Sequence, residues 1–159
     1  MTDWSVRNVR DLTWEENGLG AFCDLLQGDD DAAEEFAINL NVLGLGQPMA
    51  LYHHEPHQEG FLVLRGECEL IVEGESHPLR QWDYFHCPRD VPHVIVGAGE
   101  EPALVLAIGS RVGGGGATYP PEPLAARFGA STDDDHDARA AYAKFGPGVD
   151  VPCREEFLT

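Results

Sequence analysis

Positive charge is what this 159-residue chain has least of: ten Lys and Arg, with Lys144 the only lysine, stand against 28 Asp and Glu, a formal net charge of −18. Such a balance repels phosphate backbones, so no nucleic-acid partner is expected. A strongly anionic substrate would need a local basic patch, and none is visible in the sequence. Long apolar runs are missing as well. None approaches the ~18 residues that a membrane span needs, although hydrophobic residues make up an ordinary 43% of the chain. The opening residues, Met1-Thr2-Asp3-Trp4-Ser5-Val6-Arg7, lack the basic and then apolar pattern of a secretory signal. The expectation is a cytoplasmic protein with no membrane partner. Cysteine is sparse: Cys23, Cys68, Cys87 and Cys153 make no C-x-x-C pair and read as free thiols packed as small core residues. Cys87 stands beside His86, but one adjacent pair lacks the remaining ligands of a tetrahedral zinc site.

Helical periodicity is also missing from the middle of the chain, and a two-residue period takes its place. Phe36-Ala37-Ile38-Asn39-Leu40-Asn41-Val42 alternates apolar with polar, the mark of a half-buried strand. Further strands are expected at Met49 to His53, Phe61 to Leu64, Glu69 to Glu73, Tyr84 to Cys87, His93 to Val96 and Ala103 to Ile108. Glycine, proline and acidic residues punctuate them, and Gly74-Glu75-Ser76 reads as a hairpin turn. Short strands at this spacing predict an all-β sandwich or barrel, because the gaps are too short for the helices of a parallel sheet. Residues 1–36 read as an N-terminal arm of short strands or one short helix. Asp29-Asp30-Asp31 is a polar break before it joins the barrel at 37–110. Residues 111–159 open with Gly113-Gly114-Gly115-Gly116 and a stiff Tyr119-Pro120-Pro121-Glu122-Pro123 step. Two short helices are predicted there, Pro123 to Phe128 and Asp137 to Phe145, with Asp133-Asp134-Asp135 before the second. This tail is expected to pack over the barrel or a neighbouring subunit.

Chemistry concentrates in two segments. One is His53-His54-Glu55-Pro56-His57-Gln58-Glu59, continuing to Gly66, and the other runs from Pro88 through His93 to Gly97. Here the chain resembles the cupin family, whose two motifs are G-x5-H-x-H-x(3,4)-E-x6-G and G-x5-P-x-G-x2-H-x3-N. The first is matched by His53-x-Glu55-x3-Glu59-x6-Gly66, with Glu55 where the second histidine usually stands. Gly46 precedes it by one residue too many. The second is matched by Pro88-x-Asp90-x2-His93-x3-Gly97, with Asp90 for a glycine, Gly97 for the asparagine and Trp82 for the opening glycine. The resemblance covers roughly residues 37–110 and implies a double-stranded β-helix, the cupin jelly-roll barrel.

The metal ligands it implies are His53, Glu55, Glu59 and His93. Alternation along a strand lets His53 and Glu55 face one point. Imidazole with carboxylate suits a divalent transition metal such as Fe, Mn, Ni, Cu or Zn. His57 is a further candidate, sharing the parity of Glu55 and Glu59. Reading the motif with four residues before Glu59 would put Tyr52 and His54 at the histidine positions instead. His77 and His136 read as solvated, and His86 as a residue without ligand duty.

Met49, Leu51, Phe61, Val63, Tyr84 and Ile95 alternate suitably to line the barrel interior, with Trp82 at its mouth, which suggests a small, partly apolar ligand. Two functions follow from the resemblance: a metal-dependent dioxygenase, isomerase or lyase acting on a small organic molecule, or a non-catalytic barrel that senses or stores one. A homodimer is the expected assembly, by resemblance and by the frequency of two-fold symmetry.

Overall fold

The structure, a computed structural model, describes residues 4–28, 34–133 and 138–159. The acidic breaks at Asp29 to Asp31 and at Asp134 and Asp135, together with His136, lie outside the described residues. Ten strands are seen: β1 Trp14–Asn17, β2 Gly20–Asp24, β3 Phe36–Leu43, β4 Glu59–Arg65, β5 Glu67–Val72, β6 Glu75–Arg80, β7 Tyr84–Cys87, β8 His93–Gly97, β9 Ala103–Ser110 and β10 Val149–Val151. Two short helices follow β9, α1 Pro123–Ala126 and α2 Ala138–Ala143. One sheet runs β10-β1-β2-β3-β9-β4-β7 and the other β6-β5-β8. Every pairing is antiparallel. This is the expected all-β barrel. The N-terminal strands and the C-terminal β10 are built into the same sheet as the barrel strands. No helix among the described residues is long and apolar enough to cross a membrane.

Alternation along the strands makes two apolar layers on the large sheet. Inward, Phe61 and Val63 of β4 and Val105 and Ala107 of β9 meet Leu70 of β5 and Ile95 of β8. Outward, Leu40, Val42 and Leu104 are covered by Trp14, Cys23 and Phe157 from the arm and the chain end. Trp14 is fully buried and its indole N–H donates to the Val9 carbonyl at 2.9 Å. The outer face of the small sheet, Ile71, Val94 and Val96, is closed by α1 and Ala130 of the tail, with Tyr52 packed among them. All four cysteines are free, and Cys23, Cys68 and Cys87 are buried core residues as expected.

Two expectations about strands need correction. Met49 to His53 is not a regular strand. It runs alongside β8 and touches it through bridges at Pro48↔Val96 and His53↔His93. The reason lies in its backbone donors: Leu51 N–H goes to the Tyr142 hydroxyl at 3.2 Å and Tyr52 N–H to the Ala130 carbonyl at 2.7 Å, both in the tail. β6 was not expected as a strand, because Glu75-Ser76-His77-Pro78-Leu79-Arg80 shows no alternation. It is a mostly exposed edge strand, where a sheet tolerates proline.

The departures from the family motifs also find their physical reasons. Trp82 and Asp90, which replace motif glycines, hold φ of 75° and 60°, so both keep the left-handed backbone that glycine would adopt freely. Gly97 stands where the family has asparagine. A Cβ there would collide with the carbonyl oxygens of Gly44 and Leu43. The same loop clasps Gly97 through Gly46 N–H to its carbonyl at 2.8 Å and its own N–H to Gln47 at 3.0 Å. Gly97→Ala should therefore cost about 1–3 kcal/mol of stability in a denaturant titration. Trp82→Gly should gain up to about 1 kcal/mol by relieving the left-handed strain. Equal and small effects of both substitutions would contradict this account of the two positions.

Candidate metal centre

A cavity of about 280 Å³ opens between the sheets at the end of the barrel where β4 begins. Met49, Phe61 and Ile95 line it, as expected from their alternation. Val63 is buried deeper in the same core, and Leu51 is fully buried without reaching the cavity wall. Tyr84 and Trp82 are corrections. Tyr84 lies exposed on the outer face of the large sheet, 63% accessible, where its hydroxyl covers Gly60. Trp82 sits at the opposite end of the barrel, its N–H bound to the Val63 carbonyl at 2.7 Å, four residues along β4 from Glu59.

His53 and His93 face each other because their backbones exchange hydrogen bonds, His53 N–H to His93 O at 3.1 Å and the reverse at 2.9 Å. Their ring centroids are 5.1 Å apart. Each ring is anchored through Nδ1 to a carbonyl two residues upstream: His53 to Leu51 at 2.6 Å and His93 to Val91 at 3.0 Å. An Nδ1–H donated to a carbonyl leaves the lone pair on Nε2, the tautomer a metal-binding imidazole requires. Glu59 enters from β4 in the opposite sheet and places a carboxylate oxygen 3.4 Å from His93 Nε2. Among the described residues, His53, Glu59 and His93 form a group whose ligand atoms all lie within 4.8 Å of one another. Glu55 lines the same cavity with a carboxylate oxygen 3.9 Å from His53 Nε2, but stands outside that group.

Burial sets the charge state of these residues. It lowers His53 below the ordinary imidazole value, and it lowers His93 to about 4, with the neighbouring His53 adding to the effect. Burial carries the Glu59 carboxyl up to about 7, helped by the charge of Glu55. Without a cation the pocket thus holds neutral imidazoles and a carboxyl reluctant to ionise. A divalent cation reverses that preference, so the residues present fit such an ion in donor type, tautomer and charge. Cys87 packs behind the site with its sulfur 3.3 Å from His93 Nδ1, and burial pushes its thiol up to about 12. It is a neutral S–H neighbour.

The remaining candidates are turned elsewhere. His54 pairs its backbone with Thr118, and its Nδ1 lies 3.7 Å from Asp90. Tyr52 packs on the outer face of the small sheet, so the alternative register places both of its residues outside the cavity. His57 is buried but does not reach the cavity wall. His86 is exposed and 3.2 Å from Gln58, pointing away from the inward Cys87. His77 lies beside Glu75 on β6, half exposed.

Several residues of the cavity carry no expectation from the sequence, among them Phe22 of β2, Asn39 and Asn41 of β3, and Tyr119 and Tyr142 of the tail. The Tyr119 ring is 5.8 Å from His53 and 5.8 Å from Tyr142. Burial raises the Tyr142 hydroxyl well above the ordinary phenol value. The asparagines did leave a signal, since two uncharged amides alternate on one face of a strand in a chain rich in carboxylates. The tyrosines left none, because their reach depends on how the tail folds back.

A family model described as a cupin domain matches residues 42–109. Over 58 residues the chain is 40% identical to quercetin 2,3-dioxygenase of Bacillus subtilis, a stretch that makes up 36% of this chain and 17% of that protein. It is similar to the solved structure of a putative sugar phosphate isomerase from Acidithiobacillus ferrooxidans, 26% identical with a TM-score of 0.52, over 59% of this chain and 62% of that one. It also shares the fold of an RmlC-like cupin from Shewanella frigidimarina, 20% identical with a TM-score of 0.57, over 68% and 91% of the two chains. The chain thus spans about a sixth of the dioxygenase and under two thirds of the isomerase. The motifs, the barrel and these likenesses converge on residues 42–109: the chain carries a cupin domain of the Cupin_2 type.

Proposed function

We propose that this chain is a mononuclear metal enzyme in which His53, His93 and Glu59 hold a divalent transition metal, and that it acts on a small organic molecule with O₂. The observation that carries the reading is the convergence of two imidazoles and one carboxylate within 4.8 Å at the wall of a cavity. Two histidines with one carboxylate are the donor set of non-haem iron oxygenases, which leaves coordination positions open. The likeness to the Bacillus subtilis dioxygenase supports this choice. When bound, the metal would supply Lewis acidity and a redox partner for O₂.

The chain's own residues do the rest. Leu51 and Val91 carbonyls fix the two imidazoles, so that no reorganisation is needed to present Nε2. Phe22, Tyr119 and Tyr142 narrow the cavity and limit water. Glu55, 3.9 Å from His53 Nε2 and outside the ligand group, stands where it can take a proton from a bound substrate. That placement also favours a second reading, an isomerase or lyase that moves a proton without O₂. The two separate cleanly. Oxygen uptake that matches substrate loss supports the first, and solvent deuterium entering an O₂-independent product supports the second.

Metal content tests the shared premise. Protein purified without chelator should carry about one transition metal per chain, and His93→Ala should weaken metal binding by at least about a hundredfold. A chain that purifies empty and binds neither added Fe(II) nor Mn(II) would overturn the reading.

The acid–base state of the site makes a further prediction. Burial lowers both imidazoles, His93 to about 4, so near neutral pH the proton that competes with the metal belongs to Glu59, which burial raises to about 7. Metal affinity should rise roughly tenfold per pH unit up to about pH 7 and then level off. In the metal-free protein the folded chain holds the Glu59 proton up to about 7, whereas the unfolded chain releases it near 4.5. Its contribution to stability is therefore lost as pH rises through that window. His93 works the other way, adding stability as pH rises from about 4 to 6.5. Metal-free Glu59→Gln should exceed the parent's stability at about pH 8 by about 3 kcal/mol and match it near pH 4. A gap independent of pH would contradict the assignment.

A further inference from the structure

The cavity wall supplied by the large sheet carries a feature that metal binding does not use. Asn39 and Asn41 stand two residues apart on β3, so both side chains fall on one face of the strand. That face is turned into the barrel, opposite β8 and His93. Asn41 is 6% exposed, and its amide N–H donates to Asn39 Oδ1 at 2.6 Å. A joined pair of amides is fixed in orientation, and it still offers one carbonyl oxygen and one NH₂ group. Asn41 is buried and Asn39 half-buried, both at the cavity wall, where a ligand that displaces water must meet those groups.

The charges around the cavity narrow the class of ligand. Among the described residues, the carboxylates that line it are Glu55 and Glu59, and none of the Lys and Arg does. A divalent metal beside these two carboxylates leaves the site without net positive charge. A phosphate or sulfate group brought into such a pocket would lose its hydration with no Lys or Arg to replace it, beside two carboxylates that already balance the metal. Four aromatic rings, Phe22, Phe61, Tyr119 and Tyr142, join aliphatic side chains such as Met49 and Ile95 in the rest of the wall. The volume of about 280 Å³ corresponds to roughly nine waters at ~30 Å³ each, and so to an organic molecule on the order of ten non-hydrogen atoms.

From this geometry we propose that the Asn39–Asn41 amide pair selects the substrate, and that the substrate is a small, uncharged, ring-containing molecule with oxygen groups at both ends. One end lies toward His53 and His93, and the other is read by the amides. The proposal rests on the cavity assigned above as the metal-enzyme site, and it singles out the uncharged members of its possible substrates. Sugar phosphates are disfavoured, although a putative sugar phosphate isomerase shares the barrel.

Two probes test it by calorimetry on the full chain: 4-hydroxyacetanilide, a neutral ring with oxygen at each end, and ribose 5-phosphate. Each is titrated into metal-loaded and chelator-stripped protein, with metal content and the thermal transition measured on the same samples. The neutral probe should bind at least about tenfold more tightly than the phosphate. Asn41→Leu should weaken the neutral probe by at least about tenfold without lowering metal content. Asn39→Leu, at a less buried position, should do the same if Asn41→Leu fails to fold. The proposal is overturned if the phosphate binds as well as the neutral probe. It is overturned equally if neither protein form binds the neutral probe at millimolar concentration, or if the folded variant binds it as tightly as the parent. Because the stripped protein is titrated too, a chain that takes up no metal sinks only the metal reading and leaves the amides measurable.

Discussion

The reciprocal pair of backbone hydrogen bonds between His53 and His93 is the contact on which this site depends. It forces two residues forty positions apart in sequence to present their imidazoles to one point. It is one of the isolated bridges by which residues 48–54 touch β8 without joining it as a full strand. Had they paired continuously, Leu51 could not have given its N–H group to the Tyr142 hydroxyl in the tail. The irregularity is thus what ties three parts of the chain together: the barrel, the histidine pair and the C-terminal segment that closes the cavity. Glu59 completes the arrangement from the opposite sheet, so the ligand group spans both halves of the barrel. A barrel whose sheets slide would lose that group before it lost its fold.

Burial gives the site its chemical character. The same removal from water that keeps His93 neutral and holds the Glu59 proton to about pH 7 makes the empty pocket an unfavourable place for charge. A cation reverses that balance. Stability and metal occupancy therefore answer to the same carboxyl, as expected when a binding site is not relaxed to suit its empty state. The aromatic and amide walls extend this logic to the ligand, since no Lys or Arg lines the cavity to compensate an added negative charge.

Much of this was legible in the sequence. The two-residue period gave β3, and short apolar runs bounded by turn residues gave β4, β5, β8 and β9, because these strands pack in apolar layers. Where neither signal holds, reading fails: β6 is mostly polar and lies at an edge, and residues 49–53 look like a strand while bonding as a loop. The ligand group was within reach because the spacing of His53, Glu55 and Glu59 fixes their parity. Periodicity alone could not place Glu55 outside the tight group, since a bend at Pro56 intervenes. Trp82 and Tyr84 were misplaced for a related reason. Both lie near a turn where inward and outward depend on backbone twist, and the left-handed φ of Trp82 turns it outward. Tyr119 and Tyr142 could not be foreseen from local pattern, because their place in the cavity follows from long-range bonds such as Tyr142 to Leu51. The positions where the chain departs from its family pattern proved readable once backbone geometry was known. Trp82 and Asp90 keep a glycine's conformation, and Gly97 yields its side chain to a neighbouring loop.

The central claim is that one metal sits between two sheets, bound by residues the fold brings together. Anomalous diffraction at the metal's absorption edge, from crystals of the metal-loaded chain, tests it most directly. The account predicts a single strong peak in the cavity, bonded to Nε2 of His53, Nε2 of His93 and a carboxylate oxygen of Glu59. A cavity without a peak, or a metal held instead by Cys87, His54 or His86, would contradict it.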